Sequence, residues 1–362
     1  MVALSATSSN QKYASPITTE ISHIQRLTIS RLISDRAAAL SQEFHPDALA
    51  RIASQTVREY MTEANKALIS QFKSNSGVPF LLLKKLIDID HLPETPVDDS
   101  SPDELGWRKQ AATMLGYLQL CGAQAASFQD EMGGRLFHMV MPAKNSEKSQ
   151  RRSTKALNFH TEVVNGYFEE ERPQRGAPIA PNIFSLACLR NPNQVRTTVL
   201  PLADVINNLS GRTILQLMKP EFIARSQSSF DRDIEIKSVQ VLVPLYSGHL
   251  GIRYSHSKLA GTTDASIRAL AELREVIDSF DESNSVALEP GDVLVLNNRL
   301  CLHGRGEVAS TSNYDGMDRW LLRLYGYSES TFSLTQLSPG SSHVMQVKSN
   351  FDAAKHLSPV IN

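Results

Sequence analysis

Two of the ten histidines in this chain stand in company that can do chemistry. His160 and Glu162 are one residue apart in Leu157-Asn158-Phe159-His160-Thr161-Glu162, a short run that reads as a strand. Side chains alternate faces along a strand, so positions 160 and 162 point the same way and can grip one ion together. A neutral imidazole plus a carboxylate suits a borderline divalent metal and leaves the site in need of a third ligand. Alone, the pair is weak, because an isolated His-x-Glu is more often a solvated strand edge.

A second stretch far downstream supplies what is missing. Pro290-Gly291 is a turn signal and Val293, Leu294, Val295 and Leu296 read as a buried strand. His303 is expected just beyond that strand, in a Gly-rich turn, where it can reach in from a neighbouring strand to close the site. In Asp318-Arg319-Trp320-Leu321-Leu322-Arg323 the two arginines are four positions apart, which puts them on one face of a strand. Two His and one carboxylate on one face of an octahedron leave three positions open, as in non-haem Fe(II) oxygenases. Those positions take a chelating co-substrate and O2. An arginine near the third ligand has an obvious task, since its planar fork pairs bidentately with a carboxylate. The other eight histidines show no metal-ligand pattern.

The elements that must position these residues are mostly strands. The 362 residues are 41% hydrophobic and 21% charged, ordinary for a soluble globular protein with a sizeable core. The formal charge of −1 gives no electrostatic footprint for nucleic acid or an anionic membrane. Three widely spaced cysteines argue for a reducing compartment, and the polar first twenty residues lack the apolar core of a signal peptide. No apolar run is long enough to span a bilayer, so a cytoplasmic location is expected.

Residues 1–16 read as a frayed tail and 17–362 as one domain, helical over 17–130 with a β core over about 131–330. Ile21, Ile24, Leu27, Ile29, Leu32 and Ile33 recur at helical spacing, and the helical pattern is drawn from Ile17 to about Phe72. A strand is expected at Gly77–Leu83 and a loop over His91–Pro102. A helix starts at Ser101-Pro102-Asp103-Glu104 and runs to about Ala126. Strands follow at 135–141, 156–162, 183–189, 196–200, 239–246, 250–256, 293–297 and 320–327, with helical inserts at 203–217 and 264–280. Many strands with helices mostly at the front imply a mainly β sandwich or barrel braced by flanking helices, not alternating βαβ units.

At this point the sequence resembles the clavaminate synthase-like branch of the Fe(II)/2-oxoglutarate-dependent oxygenases, which includes hydroxylases of free arginine, asparagine and lysine. The matching pieces are Gly133-Gly134-Arg135-Leu136, Phe159-His160-Thr161-Glu162, and Cys188-Leu189-Arg190-Asn191-Pro192 with Thr197-Thr198. They continue with Ile252-Arg253-Tyr254, Pro290-Gly291-Asp292, Asn297-Asn298-Arg299 with His303-Gly304-Arg305, and Asp318-Arg319-Trp320-Leu321. Their order and approximate spacing agree over roughly residues 75–330. The resemblance implies a double-stranded β-helix (jelly-roll, cupin-like) core. It implies that His160, Glu162 and His303 hold the iron, that Arg319 binds the distal carboxylate of 2-oxoglutarate, and that Thr197 or Thr198 helps hold that co-substrate. Arg323 would clamp the substrate's α-carboxylate and Glu131 its α-amine.

Two departures from the family stand out. The gap of 16 positions from His303 to Arg319 makes Ala309–Asp315 an extended loop. Ser255 and Ser257 stand where arginine-specific relatives carry guanidinium-binding carboxylates. A carboxylate at 162 also speaks against halogenation, since halogenating relatives replace it with a small residue.

The expected activity is hydroxylation of an unactivated C–H bond in the side chain of a free L-amino acid, with Fe(II), 2-oxoglutarate and O2. Lysine or another basic amino acid is favoured, because a long amine could reach Glu169 and Glu170 in the acidic segment after the metal motif. A neutral or carrier-tethered substrate, desaturation instead of hydroxylation, and a non-catalytic jelly-roll that binds a metal or small ligand remain as alternatives. No nucleic-acid or membrane partner is expected, and a homodimer is left open.

Overall fold

Phe80–Lys84, Ile183–Arg190, Val293–Asn297 and Trp320–Ser328 are apolar at nearly every position rather than at every second one. A strand of that kind must be covered on both faces. In the computed structural model, which describes residues 14–38, 45–74, 77–96, 104–141, 156–280, 285–308 and 315–348, these strands lie side by side in an eight-stranded sheet. Its order is Ile17–Glu20, Phe80–Lys84, Val293–Asn297, Ile183–Arg190, Trp320–Ser328, Ala123–Phe128 and Val344–Met345, with His138–Val140 also paired to Trp320–Ser328.

The alternation along these strands sorts them into two cores. Leu81, Leu83, Val293, Val295, Ala187, Leu322 and Leu324 pack with Ile29, Leu49, Val57 and Leu115 of the helices. Phe80, Leu82, Leu294, Leu296, Phe184, Leu186 and Leu321 face the other way, toward Val199, Leu200 and Leu302. Those last residues belong to a four-stranded sheet ordered Ser285–Ala287, Arg196–Pro201, Cys301–Arg305 and Leu157–His160. The helices His23–Ala37, Pro46–Tyr60 and Arg108–Leu120 therefore brace one face of the large sheet. The other face opposes the small sheet, and the functional residues lie between them.

The fold departs from the sequence reading in several places. Ile17–Glu20 is a strand running parallel to Phe80–Lys84. The helix begins only at His23, after Ser22 Oγ accepts the Gln25 N–H in a capping box. The helix expected to reach Ala126 stops at Leu120, and Ala123–Phe128 is a strand. Gly122, at φ +86°, makes the reversal, and pairing with Trp320–Ser328 overrides the helical preference of an Ala- and Gln-rich stretch.

Cys301–Arg305 is a strand rather than a turn, so His303 is held in a ladder. The insert at 203–217 divides into Leu202–Asn207 and Gly211–Leu217, with Ser210 capping the second. The helix start drawn at Ser101–Asp103 and most of the loop 309–315 lie outside the described residues. No helix among the described residues is long and apolar enough to cross a membrane, and the three cysteines are buried and free.

Candidate active site

His160 closes the Leu157–His160 strand, and His303 lies directly opposite it in Cys301–Arg305. After His160 the Thr161 N–H donates to the Tyr254 carbonyl at 2.9 Å, and the backbone turns through Val163 at φ +52°. Glu162 therefore sits in a turn, not in the strand that the spacing implied. The turn still delivers it: ligand atoms of His160, Glu162 and His303 all lie within 4.8 Å of one another.

Asn298 holds that turn. Its Oδ1 accepts the Glu162 N–H at 2.8 Å, while its Nδ2 donates to the Glu162 and Pro181 carbonyls at 3.1 Å each. Phe184 stacks on the His303 ring at 4.3 Å and 14°, which fixes the imidazole plane.

The protonation states suit a cation. His160 Nδ1 donates to the Asn158 carbonyl at 2.8 Å, which leaves Nε2 facing Glu162 Oε1 at 3.9 Å. His303 Nε2 stands 3.4 Å from the same oxygen. Burial, then the neighbouring His303, pushes His160 down to about 4, so the imidazole is neutral near pH 7 with a lone pair to give. Burial by itself would raise the Glu162 carboxyl, but Arg323 and then His303 hold it well below the usual carboxylate range. Two imidazoles and one anionic carboxylate are a donor set that fits Fe(II).

Arg323 and Arg319 come from the Trp320–Ser328 strand and the residue before it, and both border one cavity of about 350 Å³. Arg323 Nη1 reaches the two Glu162 oxygens at 3.2 and 3.3 Å. Its Nη2 reaches Glu131 Oε1 at 3.0 Å and the Tyr325 hydroxyl at 2.8 Å, and also meets His138 Nδ1. Burial pulls the Arg323 pKa down, yet Glu162, Tyr325 and Glu131 outweigh it and hold the guanidinium above its usual value. Arg319, 4% exposed, has no hydrogen-bond or ion-pair partner among the described residues. Burial, then Arg305, lowers it to about 10.

The remaining expected residues divide. Thr197, Ser255 and Ser257 line the cavity, and Ser255 is bridged to His160. Thr198 does not line it, because adjacent strand residues face opposite ways; its Oγ1 lies against Gly304. Glu131 does not line it either. It is fully buried behind Arg323, with Oε1 also taking hydrogen bonds from Ser229 at 2.8 Å and Tyr325 at 3.2 Å. The residue expected at the α-amine thus lies against Arg323 in this structure.

Glu169 and Glu170 are likewise away from the cavity. They pair with Arg299 at 3.5 and 3.2 Å, while Glu171 pairs with Arg253. Each of the two guanidiniums lies over the Phe168 ring, 4.9 Å from its centroid. The glutamates expected to meet a cationic substrate are turned to Arg299 instead of lining the cavity.

Several site residues had no role in the sequence reading. Tyr325 is two positions from Arg323 on the same strand face, and His138 is directly opposite Arg323 in register. Period-two counting from Arg323 would have found the first. Gln227, Ser228, His256 and Lys258 also line the cavity, and they come from segments without a recognisable motif.

Comparison with known proteins agrees with this geometry. Residues 241–325 match the family described as taurine catabolism dioxygenase TauD, TfdA family. The protein is 30% identical to the L-asparagine oxygenase of Streptomyces coelicolor over 282 residues, a match spanning 74% of its own length and 75% of that relative. It is 26% identical to clavaminate synthase 2 of Streptomyces clavuligerus over 282 residues, spanning 75% and 81%. Among solved structures, asparagine oxygenase in complex with Fe(II), 2S,3S-3-hydroxyasparagine and succinate superposes with a TM-score of 0.72 at 23% identity. That match spans 93% of the present protein and 100% of the other.

Proposed function

Because the protein belongs to the clavaminate synthase-like Fe(II)/2-oxoglutarate-dependent oxygenases, we propose that it hydroxylates a C–H bond in the side chain of a free L-amino acid. The observation that carries this is the joint placement of His160, Glu162 and His303 beside a buried Arg319 that has no partner of its own among the described residues. We read the opposed eight- and four-stranded sheets as a double-stranded β-helix, and residues 17–362 as one oxygenase domain. The large sheet's two faces serve the helices and the site respectively, which supports both readings.

Bound iron would supply O2 activation coupled to oxidative decarboxylation of 2-oxoglutarate. The balance is amino acid plus 2-oxoglutarate plus O2 giving hydroxyamino acid, succinate and CO2. One oxygen atom enters the product and the other enters succinate.

The protein's own residues bind and orient. His160, Glu162 and His303 would hold the metal, with Asn298 fixing the Glu162 backbone and Phe184 the His303 ring. Arg319 offers a free bidentate fork to the distal carboxylate of 2-oxoglutarate, and Thr197 borders the same space. Arg323, braced by Glu131, His138 and Tyr325, presents its charge to a substrate α-carboxylate. Gripping that end sets which carbon of the substrate meets the metal, and positioning of this kind is the main contribution expected of the protein.

The test is turnover by the purified protein with Fe(II), 2-oxoglutarate and a panel of L-amino acids, scoring succinate and a product heavier by one oxygen. Succinate formed equally with no amino acid present would overturn the proposal.

A further inference from the structure

The charges around the cavity are one-sided. Among the described residues lining it, Lys258, Arg305, Arg319 and Arg323 are cationic and Glu162 is the single carboxylate. An Fe(II) ion and a 2-oxoglutarate dianion cancel each other, so loading the site adds no net charge of its own. Of the four cations, Arg323 already has Glu162 and Glu131, Arg305 is already engaged, and Arg319 is where the co-substrate carboxylate would go. Lys258 is half-buried at the outer wall and has no carboxylate partner among the described residues.

Its backbone is fixed at both ends. The Lys258 carbonyl accepts the Arg225 N–H at 2.9 Å, and the next residue begins the Leu259–Gly261 strand. Three residues earlier, Ser255 is bridged to the metal ligand His160. Three residues span at most about 10 Å of backbone, a gap that a flexible lysine stem and a short substrate side chain can close between them. Around it stand neutral polar groups, Ser255, Ser257, Ser228 and Gln227.

We propose that Lys258 reads the distal carboxylate of a dicarboxylic L-amino acid, so that the substrate is anionic rather than basic. This rests on the hydroxylase reading above. A lysine or arginine side chain would enter a cavity already rich in positive charge, with no described carboxylate to receive it. An acidic side chain meets an unpaired ammonium and reduces the excess.

The test compares kcat/KM for L-aspartate, L-glutamate, L-asparagine, L-glutamine, L-lysine and L-arginine with the Fe(II)-loaded enzyme, together with anaerobic calorimetric titration of the same compounds. A dicarboxylic acid ranks first. Lys258→Ala raises its KM about ten- to hundredfold, the loss of one charge-assisted hydrogen bond, and leaves the KM for 2-oxoglutarate unchanged. Lys258→Arg restores the preference and Lys258→Glu moves it toward L-lysine. A basic or amide amino acid ranking first, or a panel order unmoved by Lys258→Ala, overturns the inference while leaving the hydroxylase reading intact. If no amino acid is turned over, the hydroxylase reading fails. In that case L-glutamate or L-aspartate binding that Lys258→Ala weakens still supports the lysine's role, and equal or absent binding refutes it.

Discussion

Two clusters of positive charge in this protein are finished differently. Behind the turn that follows the metal motif, Arg253 and Arg299 each lie over the Phe168 ring and are neutralised by Glu169, Glu170 and Glu171. In the cavity, Arg319 and Lys258 have no such partners among the described residues. Arg299 and Arg319 both bear the desolvation cost of burying charge, but only Arg299 recovers it within the fold. A cation completed by its own protein is scaffold, whereas one left incomplete is waiting for a ligand. Arg323 falls between: its partners are internal, yet one of them is the metal ligand Glu162.

The contrast is broken most directly at the finished cluster. Arg253→Ala strands Glu171 in the interior and should cost about 3–5 kcal/mol, read as a fall in denaturation midpoint. In the protein that remains folded, 2-oxoglutarate affinity should be little changed. At the unfinished cluster the order reverses. Arg319→Gln should raise the KM for 2-oxoglutarate about ten- to hundredfold without lowering the melting temperature, because it leaves no buried partner unpaired.

Between these sits Asn298, which serves the site through backbone alone. Asn298→Ala removes three hydrogen bonds at the Glu162 turn and should cost about 1–3 kcal/mol, with Fe(II) affinity falling in parallel. Phe168→Leu is the mildest test. Losing the aromatic face beneath two guanidiniums should cost about 1–2 kcal/mol, measured by chemical denaturation, with the metal site unaffected.

The same contrast explains what could be read from the sequence. His160, Glu162, His303 and Arg319 were legible because each is identified by type and local spacing, and the strands carrying them are apolar enough to announce themselves. The strand around His303 was not, because Gly304 and Gly306 look like a turn. Gly304 is there for another reason: a Cβ would lie 2.6 Å from both the Leu157 carbonyl oxygen and Thr198 Oγ1, so only glycine lets the strands approach at the metal site.

Glu169 and Glu170 were misread because their partner Arg299 is about 130 positions away in the sequence. No local pattern reports a long-range ion pair. Lys258 was invisible for the converse reason, since what distinguishes it is a missing partner, and that can be seen only once the neighbours are in place.

The central claim is that three ligands and one open arginine form a working site for iron and 2-oxoglutarate. Adding Fe(II) and 2-oxoglutarate under argon tests it before any substrate is chosen. A weak visible charge-transfer band is expected, one that is lost in His160→Ala and needs more 2-oxoglutarate to develop in Arg319→Gln. No band in the wild-type protein, or the same band in His160→Ala, would contradict it.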